Sequence, residues 1–308
     1  MATNQGFKSL IPKKARVSAE YLAWWLKANR SYLERLGNGA TFKEVSKATV
    51  SKVEIPLPPL AEQKRIAELL DGVDALRAKR RQALALLDAL AHAIFLDMFG
   101  GLEPGWPRVT VADAAGVTKG SIRTGPFGSQ LLHEEFVDEG VPVLGIDNAV
   151  RNEFRWQERR YITEDKYKEL ARYTVYPGDV LITIMGTCGR CAVVPDDNPK
   201  SINTKHLCCI TLDQDKCLPE FLHSYFLMHP IAEHYLRRAA KGAIMDGLNM
   251  GIIKELPIAL PPMGLQYEYV ARVKSIKAEK AKHREALAKL DELFASVQSR
   301  AFAGTLFG

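Results

Sequence analysis

The sequence predicts an α+β fold, in which a mixed α/β globular domain is carried by two long antiparallel coiled-coil helices. Three observations predict it. From Ile66 the apolar positions fall at 66, 69, 73, 76, 83, 87, 90 and 94, the alternating three–four spacing of a coiled-coil seam. The stretch bearing that seam returns 203 residues later without a gap: Leu57-Pro58-Pro59 lands on Leu260-Pro261-Pro262, Gln63 on Gln266, Ala83-Leu84-Ala85 on Ala286-Leu287-Ala288 and Phe99 on Phe302. Between the two copies, short apolar runs alternate with loops rich in Gly, Thr, Ser, Asn and Arg.

The first rod begins after Pro58 and Pro59, which hold the preceding chain extended and admit a helix immediately behind them. A helix over 61–99 would run about 58 Å, too long for the core helix of a small domain. Arg80 and Asp97 interrupt the seam, whereas Leu70, Leu84, Leu86, Phe95 and Met98 widen the apolar stripe, so the rod is expected to pack on more than one neighbour. Gly72 costs about 1 kcal/mol against Ala and marks an expected bend.

Before the rod, 7–11 and 53–57 read as strands, and Ser18 as the cap of an amphipathic helix stopped by Gly37-Asn38-Gly39. Thr41 is the expected cap of a short helix near 42–48. These pieces are too few to offset their own ordering entropy as a separate domain. After a turn-rich linker at 100–107, strands are expected at 109–111, 141–146, 180–185, 190–194 and 206–212, with helices at 163–172, 219–227 and 230–239. The second rod follows. The resulting division is 1–59, 60–101 (first spacer helix), 102–262 (globular domain) and 263–308 (second spacer helix).

Composition narrows the class. Hydrophobic residues make up 47% and charged residues 25%, as in globular proteins. No uninterrupted apolar run reaches the roughly 18 residues of a membrane span, and the N-terminal stretch lacks a secretory apolar core. No membrane partner is expected. The five cysteines cluster at 188, 191, 208, 209 and 217, an odd count that fits a reducing cytoplasm. Their spacing does not match a zinc ribbon, so no metal site is expected. Net charge is +6, yet residues 102–262 carry eighteen basic against twenty-one acidic side chains. A polyanion would therefore have to meet a local basic face rather than the bulk charge. There is no phosphate loop of the G-x-x-x-x-G-K-[ST] type, no G-x-G-x-x-G fingerprint and no Asn/Asp-Pro-Pro-aromatic motif; Glu164-Asp165-Lys166 lacks the upstream Pro-Asp of a nuclease centre. No catalytic residue is assigned.

The phrases TFKEVSKATVSKVEIPLPP, PLPPLAEQKRIAELLD, SIRTGPFGSQL, VPVLGIDN and YPGDVLITIMGT, with the repeated rods, resemble the specificity subunits of type I restriction–modification systems. The resemblance runs over essentially the whole chain and in the family's order. It implies target-recognition domains that each read half of a split site on double-stranded DNA, held apart by two long helices that dock methyltransferase (M) subunits. It also implies that this chain is not an enzyme and binds no cofactor. S-adenosylmethionine would sit on the M subunits, and ATP and Mg on restriction (R) subunits joined through the complex. Residues 1–59 would be the remnant of a first recognition domain and 102–262 a complete second one. A truncated gene product and a half-subunit that forms a homodimer both remain open, as does a scaffold or anti-restriction decoy that binds the M subunit without reading DNA.

On that reading, Arg suits guanine N7 and O6, Asn or Gln suits adenine, and Lys suits phosphate. The expected DNA-binding residues are Lys119, Ser121, Arg123, Thr124, Ser129 and Gln130 in a first loop, Arg151, Asn152 and Arg155 in a second, and Lys205, His206 and Lys241 beyond. Phe127 is expected to anchor its loop in the core, and Gly125 and Gly128 to serve the turn. The outward apolar residues Leu70, Leu84, Leu86, Met98, Leu287 and Phe294 exceed the needs of one two-helix seam and are expected to meet the partner subunits.

Overall fold

Ser18 opens the first helix: its Oγ accepts the Tyr21 N–H (3.3 Å) and frees α1 (Ala19–Ala28) from an uncapped start. The computed structural model describes residues 8–37, 44–101, 105–157, 160–239 and 248–307. Asn29 separates α1 from α2 (Arg30–Arg35). The next helix, α3 (Lys47–Val50), is capped by Ser46 rather than by Thr41, which lies outside the described residues. The expected strands at 8–11 and 53–57 do not form; Pro56 removes a ladder donor from the second. The first rod, α4 (Leu60–Phe99), is 40 residues long and continues through Gly72.

Contacts divide the chain into two compact units, 1–88 with 278–308, and 89–277. The division falls inside both rods. In the first unit, α4 runs antiparallel to the end of α10 (Met263–Phe302, described below), as the pairs Arg77–Asp291 (2.6 Å) and Asp88–Lys280 show. The core joins Tyr21 and Trp24 of α1 to Ile66, Ala67, Leu70, Val297 and Ala301. Tyr21 meets Phe302 edge-on at 5.6 Å and Trp24 meets Phe294 at 5.5 Å. The buried stripe thus follows 63, 66, 67, 70 and 73. Leu69 and Leu76, assigned to the seam from spacing, are 39% and 51% exposed. The correction has a physical cause: α4 packs on α1 as well as on α10, and two neighbours draw a wider stripe than a two-stranded seam.

Gln63 is buried completely in this unit. Its Oε1 accepts the Ser18 N–H (2.9 Å), and its Nε2 donates to the carbonyls of Arg16 (2.9 Å) and Pro58 (2.8 Å). One side chain therefore closes the entrance of α1 onto the start of the rod. An 18-residue window of α4 averages a mean hydropathy of 1.5, so this helix is long and apolar enough to cross a membrane by length and composition alone. That average includes the interruptions that a count of uninterrupted apolar residues rejects.

The second unit begins with the end of α4 and continues with β1 (Arg108–Thr110) and α5 (Val111–Ala114). Then come β2 (Ile122–Thr124), β3 (Val141–Leu144), β4 (Tyr161–Ile162), α6 (Glu164–Leu170) and β5 (Thr174–Val175). They are followed by β6 (Val180–Thr183), β7 (Cys191–Val193), β8 (Ser201–Asn203) and β9 (Leu207–Ile210). The unit closes with α7 (Pro219–Met228), α8 (Pro230–Ala239), α9 (Met250–Lys254), β10 (Pro257–Ala259) and the start of α10. One antiparallel sheet has the order β2-β9-β6-β7. A second, β4-β3-β8-β5, contains a parallel pair, β3 with β8. A ribbon pairs β1 with β10. Leu144, Val175, Leu181, Ala192, Leu207 and Cys209 form one cluster between strands of the two sheets. The larger core sets Phe95 and Phe99 against Phe221 and Tyr269, and Phe99 meets Phe221 edge-on at 5.1 Å. Each such aromatic pair contributes about 0.5–1.5 kcal/mol beyond its burial.

Gln266 repeats the arrangement of Gln63. It is fully buried, accepts the Leu218 N–H (2.9 Å) and donates to the carbonyls of Lys216 (2.9 Å) and Pro261 (2.9 Å). The internal repeat is therefore a repeat of packing. In each unit a buried Gln closes a short helix onto the start of one rod, while a Phe from the end of the other rod covers that helix.

Candidate nucleic-acid interface

The Gly-rich loops of the second unit are tied to one turn, 204–206, between β8 and β9. Gly125 N–H donates to Thr204 O (3.3 Å), and Thr204 N–H donates to Leu144 O at the end of β3 (2.9 Å). Ile184 N–H, just past β6, donates to His206 O (2.9 Å). A Cβ on Gly125 would lie 1.9 Å from Asn203 O, so only glycine permits this approach. Gly186, at φ +67°, lets its loop pass Ile146, whose Cδ1 would lie 3.0 Å from an added Cβ. Segments 122–130, 145–157, 184–190 and 203–206 are thereby connected.

Four buried side-chain polar atoms lack a hydrogen-bond partner among the described residues, and three of them sit here: Asp147 Oδ2, Asn203 Oδ1 and Thr204 Oγ1. Left without a partner, each such group costs about 1–3 kcal/mol, and three of the four lie in this one region. Asn203 is wholly buried, and its Nδ2 donates to Leu207 O (3.1 Å). Asp147 Oδ1 accepts from Arg160 Nη2 (2.9 Å). His206 is held below its ordinary pKa, first by burial and then by the cations Lys205 and Arg160, so the ring stays neutral at neutral pH.

The expected DNA-binding residues divide into two groups. Lys119, Ser129 and Arg151 are exposed, and Thr124, Lys205 and His206 are half-buried on the linked loops. Others are engaged within the fold and require correction. Arg123 is 8% exposed; its Nη2 pairs with Asp179 Oδ2 (2.6 Å) and also donates to Thr174 O, while Nη1 donates to Thr211 Oγ1 (2.9 Å). Asp179 also accepts from Thr211 Oγ1 (2.6 Å), Tyr176 N–H (2.9 Å) and Cys209 Sγ (3.1 Å). With Nη1 also donating to Gly120 O (3.2 Å), both terminal nitrogens are engaged, which leaves no pair of N–H groups to fork onto guanine. Ser121 is buried, its Oγ donating to Thr118 O (2.6 Å).

Asn152 turns its loop at φ +57°, and its Oδ1 accepts the Cys191 N–H (3.1 Å). His223 Nε2, facing the carbonyls of Asn152 (3.0 Å) and Cys191 (3.1 Å), holds the same corner as a donor. Burial lowers the His223 pKa to about 4. Gln130 Oε1 accepts from Phe127 N–H (3.0 Å) and Tyr173 O–H (2.9 Å), bracing its loop. Arg155 Nη2 pairs with Glu153 (3.0 Å). Lys241 lies outside the described residues.

Sequence reasoning passed over Arg160, Arg190 and Met185, which are exposed on or beside the linked segments, and placed Phe127 in the core, whereas it is 49% exposed. The signal was present: all four lie in the loops whose Gly, Asn and Arg content stands out. Beside Arg123, a cleft of about 610 Å³ is lined by Lys119, Arg172 and Tyr176.

Among the partner-facing residues, Leu70 is fully buried and Phe294 packs on Trp24, so neither points outward. Met98 joins the core of the second unit. Leu84 and Leu287 are half-buried, and Leu86 is 62% exposed. Four of the five thiols are buried and held protonated: burial pushes Cys191 and Cys209 well up and Cys208 and Cys217 to about 12.

A family model described as the type I restriction modification DNA specificity domain matches residues 1–86 and 128–290. The chain is 28% identical over 320 residues to the type I restriction enzyme EcoKI specificity subunit of Escherichia coli K12, covering 96% of this chain and 67% of that one. It is 26% identical over 300 residues to the EcoBI specificity subunit of Escherichia coli, covering 87% of this chain and 62% of that one. With the MjaVIII specificity subunit of Methanocaldococcus jannaschii the identity is 23%, and 63% of that protein is spanned. The chain thus spans a little over three fifths of the length of several curated relatives. In fold it is similar to the type I restriction–modification S subunit from M. genitalium, with a TM-score of 0.63, 14% identity, and coverage of 94% of this chain and 74% of that one. The two matched segments take in the first two thirds of each rod and most of the chain between them, and the chain belongs to the type I restriction modification DNA specificity domain family.

Proposed function

We propose that this chain is the sequence-reading subunit of a type I restriction–modification complex and directs methyltransferase and nuclease subunits to a split site on double-stranded DNA. The observation that carries this reading is the junction at 203–206, where linked loops bring Lys205, His206 and Arg160 together with amide and hydroxyl oxygens that lack a partner among the described residues. Cations position the phosphates, and buried polar atoms acquire partners on base edges. Residues 102–262 form the recognition domain, 60–101 and 263–308 are the spacers, and 1–59 belong with a first recognition domain. The chain supplies specificity and no catalysis. It holds no cofactor, while S-adenosylmethionine, ATP and Mg act on the partner subunits. Leu84, Leu86 and Leu287 on the rods support docking of methyltransferase subunits, since apolar side chains on a helix face gain most from burial in a partner. A split site needs two readers, and pairing with a second copy of the chain would supply the second. The setting is the cytoplasm, where host DNA is methylated and foreign DNA cleaved.

The test is to map methylated adenines in cells that make the chain with its methyltransferase subunit, then to exchange residues 102–262 for those of a relative. A split motif that changes in one half supports the reading. An unchanged motif, or none, overturns it and leaves a scaffold that binds the methyltransferase without reading DNA.

A further inference from the structure

Phe127 and Met185 are large apolar side chains exposed at 49% and 40%, although Pro126 and Ile184 beside them are buried. Their exposure is built in. Phe127 sits between a glycine that only fits without a Cβ, Gly125, and Gly128 at φ +56°. Its N–H is bound to Gln130 Oε1, which Tyr173 O–H holds from the other side. Met185 follows Ile184, anchored on His206 O, and precedes Gly186 at φ +67°. Both loops are tied by backbone hydrogen bonds to the segment that carries Lys205 and His206, through Gly125 N–H to Thr204 O and Ile184 N–H to His206 O. Rigid bracing of exposed apolar groups beside cations and orphaned polar atoms fits a partner that is anionic outside and apolar within. Duplex DNA is such a partner: phosphates outside, base faces and thymine methyl groups within.

We propose that Phe127 and Met185 are base-contacting residues of the recognition lobe, an apolar pair that meets bases while Lys205 and Arg160 hold the adjoining phosphates. This rests on the DNA-recognition reading above and adds residues whose effect is specificity rather than charge. Apolar contact to a base discriminates without releasing counterions, so it changes the sequence read and leaves the salt dependence unchanged.

The experiment maps methylation motifs in cells making the methyltransferase subunit with the wild-type chain, Phe127→Ala, Phe127→Leu or Met185→Ala. Each purified complex is then titrated with a duplex carrying the mapped wild-type motif at several salt concentrations. Phe127→Ala and Met185→Ala should weaken motif binding about tenfold or make one or two adjacent motif positions degenerate, with an unchanged salt slope. Phe127→Leu should retain part of the discrimination. Lys205→Ala should instead lower the slope by about one. Melting temperatures should stay within about 2 °C of wild type, since half-exposed side chains contribute little to stability. The inference is overturned if both alanine variants write the wild-type motif at wild-type occupancy, or if their loss tracks failure to co-purify with the methyltransferase, which would make the patch a protein contact. A wild-type chain that directs no motif removes the DNA reading itself, a result separable from both.

Discussion

Arg80 and His283 hold the same place in the two copies of the repeat, 203 residues apart, and they meet: Arg80 Nη1 lies 3.1 Å from His283 Nδ1. Around them the ion pairs are exchanged copies of one another. Arg77 pairs with Asp291 and Lys280 with Asp88, and adding 203 to Arg77 and Asp88 gives Lys280 and Asp291. The interruption of the apolar seam at Arg80 is therefore the point about which the paired rods are locally symmetric. Charged side chains there fix register, since a slip by one turn would leave each of these charges without its partner.

Arg77 carries most of that register. It is 17% exposed, pairs with Asp74 and Asp291, and lies 4.2 Å over the Phe294 ring. Arg77→Asp should destabilise the protein by about 1–3 kcal/mol in urea unfolding. Arg77→Asp combined with Asp291→Arg should recover a measurable share, and a purely additive double mutant would contradict the pairing.

Gln63→Ala and Gln266→Ala should each cost about 2–4 kcal/mol, because each removes three hydrogen bonds and strands a buried N–H. Gln266→Glu should be nearly as harmful, since a carboxylate accepts from Leu218 but cannot donate to Lys216 O and Pro261 O. Thermal unfolding followed by circular dichroism measures both.

Arg123→Ala leaves Asp179 buried at 1% side-chain exposure without its counter-charge and should cost about 3–5 kcal/mol. Any loss of DNA binding should follow the loss of folding. A variant that remained as stable as wild type yet lost binding would return Arg123 to the reading face.

His223 couples stability to pH. Unfolded, its ring takes a proton near pH 6.5; folded, it resists protonation down to about 4. The unfolded state therefore binds more protons between these values, and stability falls as pH drops through that window, by up to about 3 kcal/mol. His223→Gln should flatten the profile over pH 4–6.5, measured by denaturant midpoint.

Gly72 lies mid-helix with open space where a Cβ would go. Gly72→Ala should raise stability by up to about 1 kcal/mol. Destabilisation would indicate that the rod is bent there and requires the glycine.

Much of the architecture is legible along the chain. The gapless repeat of Leu57-Pro58-Pro59 and Gln63 announces twin rods, and the structure has two helices of 40 residues each. Runs at 141–146, 180–185 and 206–212 announce β3, β6 and β9. The two- and three-residue strands β2, β4, β5 and β8 escape notice because so short a segment shows no alternation. The reading face is less legible. Lys205 and Arg151 keep solvent exposure, but Arg123 has the same chemistry and turns inward, because Asp179, 56 residues away, claims it.

The linear order of side chains determined the two long helices, their length and that they recur, since helix length and heptad spacing are local properties of the backbone. Which polar residues remain available to a ligand depended on the fold. Burial of Arg123, exposure of Phe127 and the shift of the rod's stripe from Leu69 to Leu70 were each set by neighbours distant in the chain. Spacing gives the period of a pattern; the desolvation and pairing that assign each side chain a role arise only when those neighbours arrive.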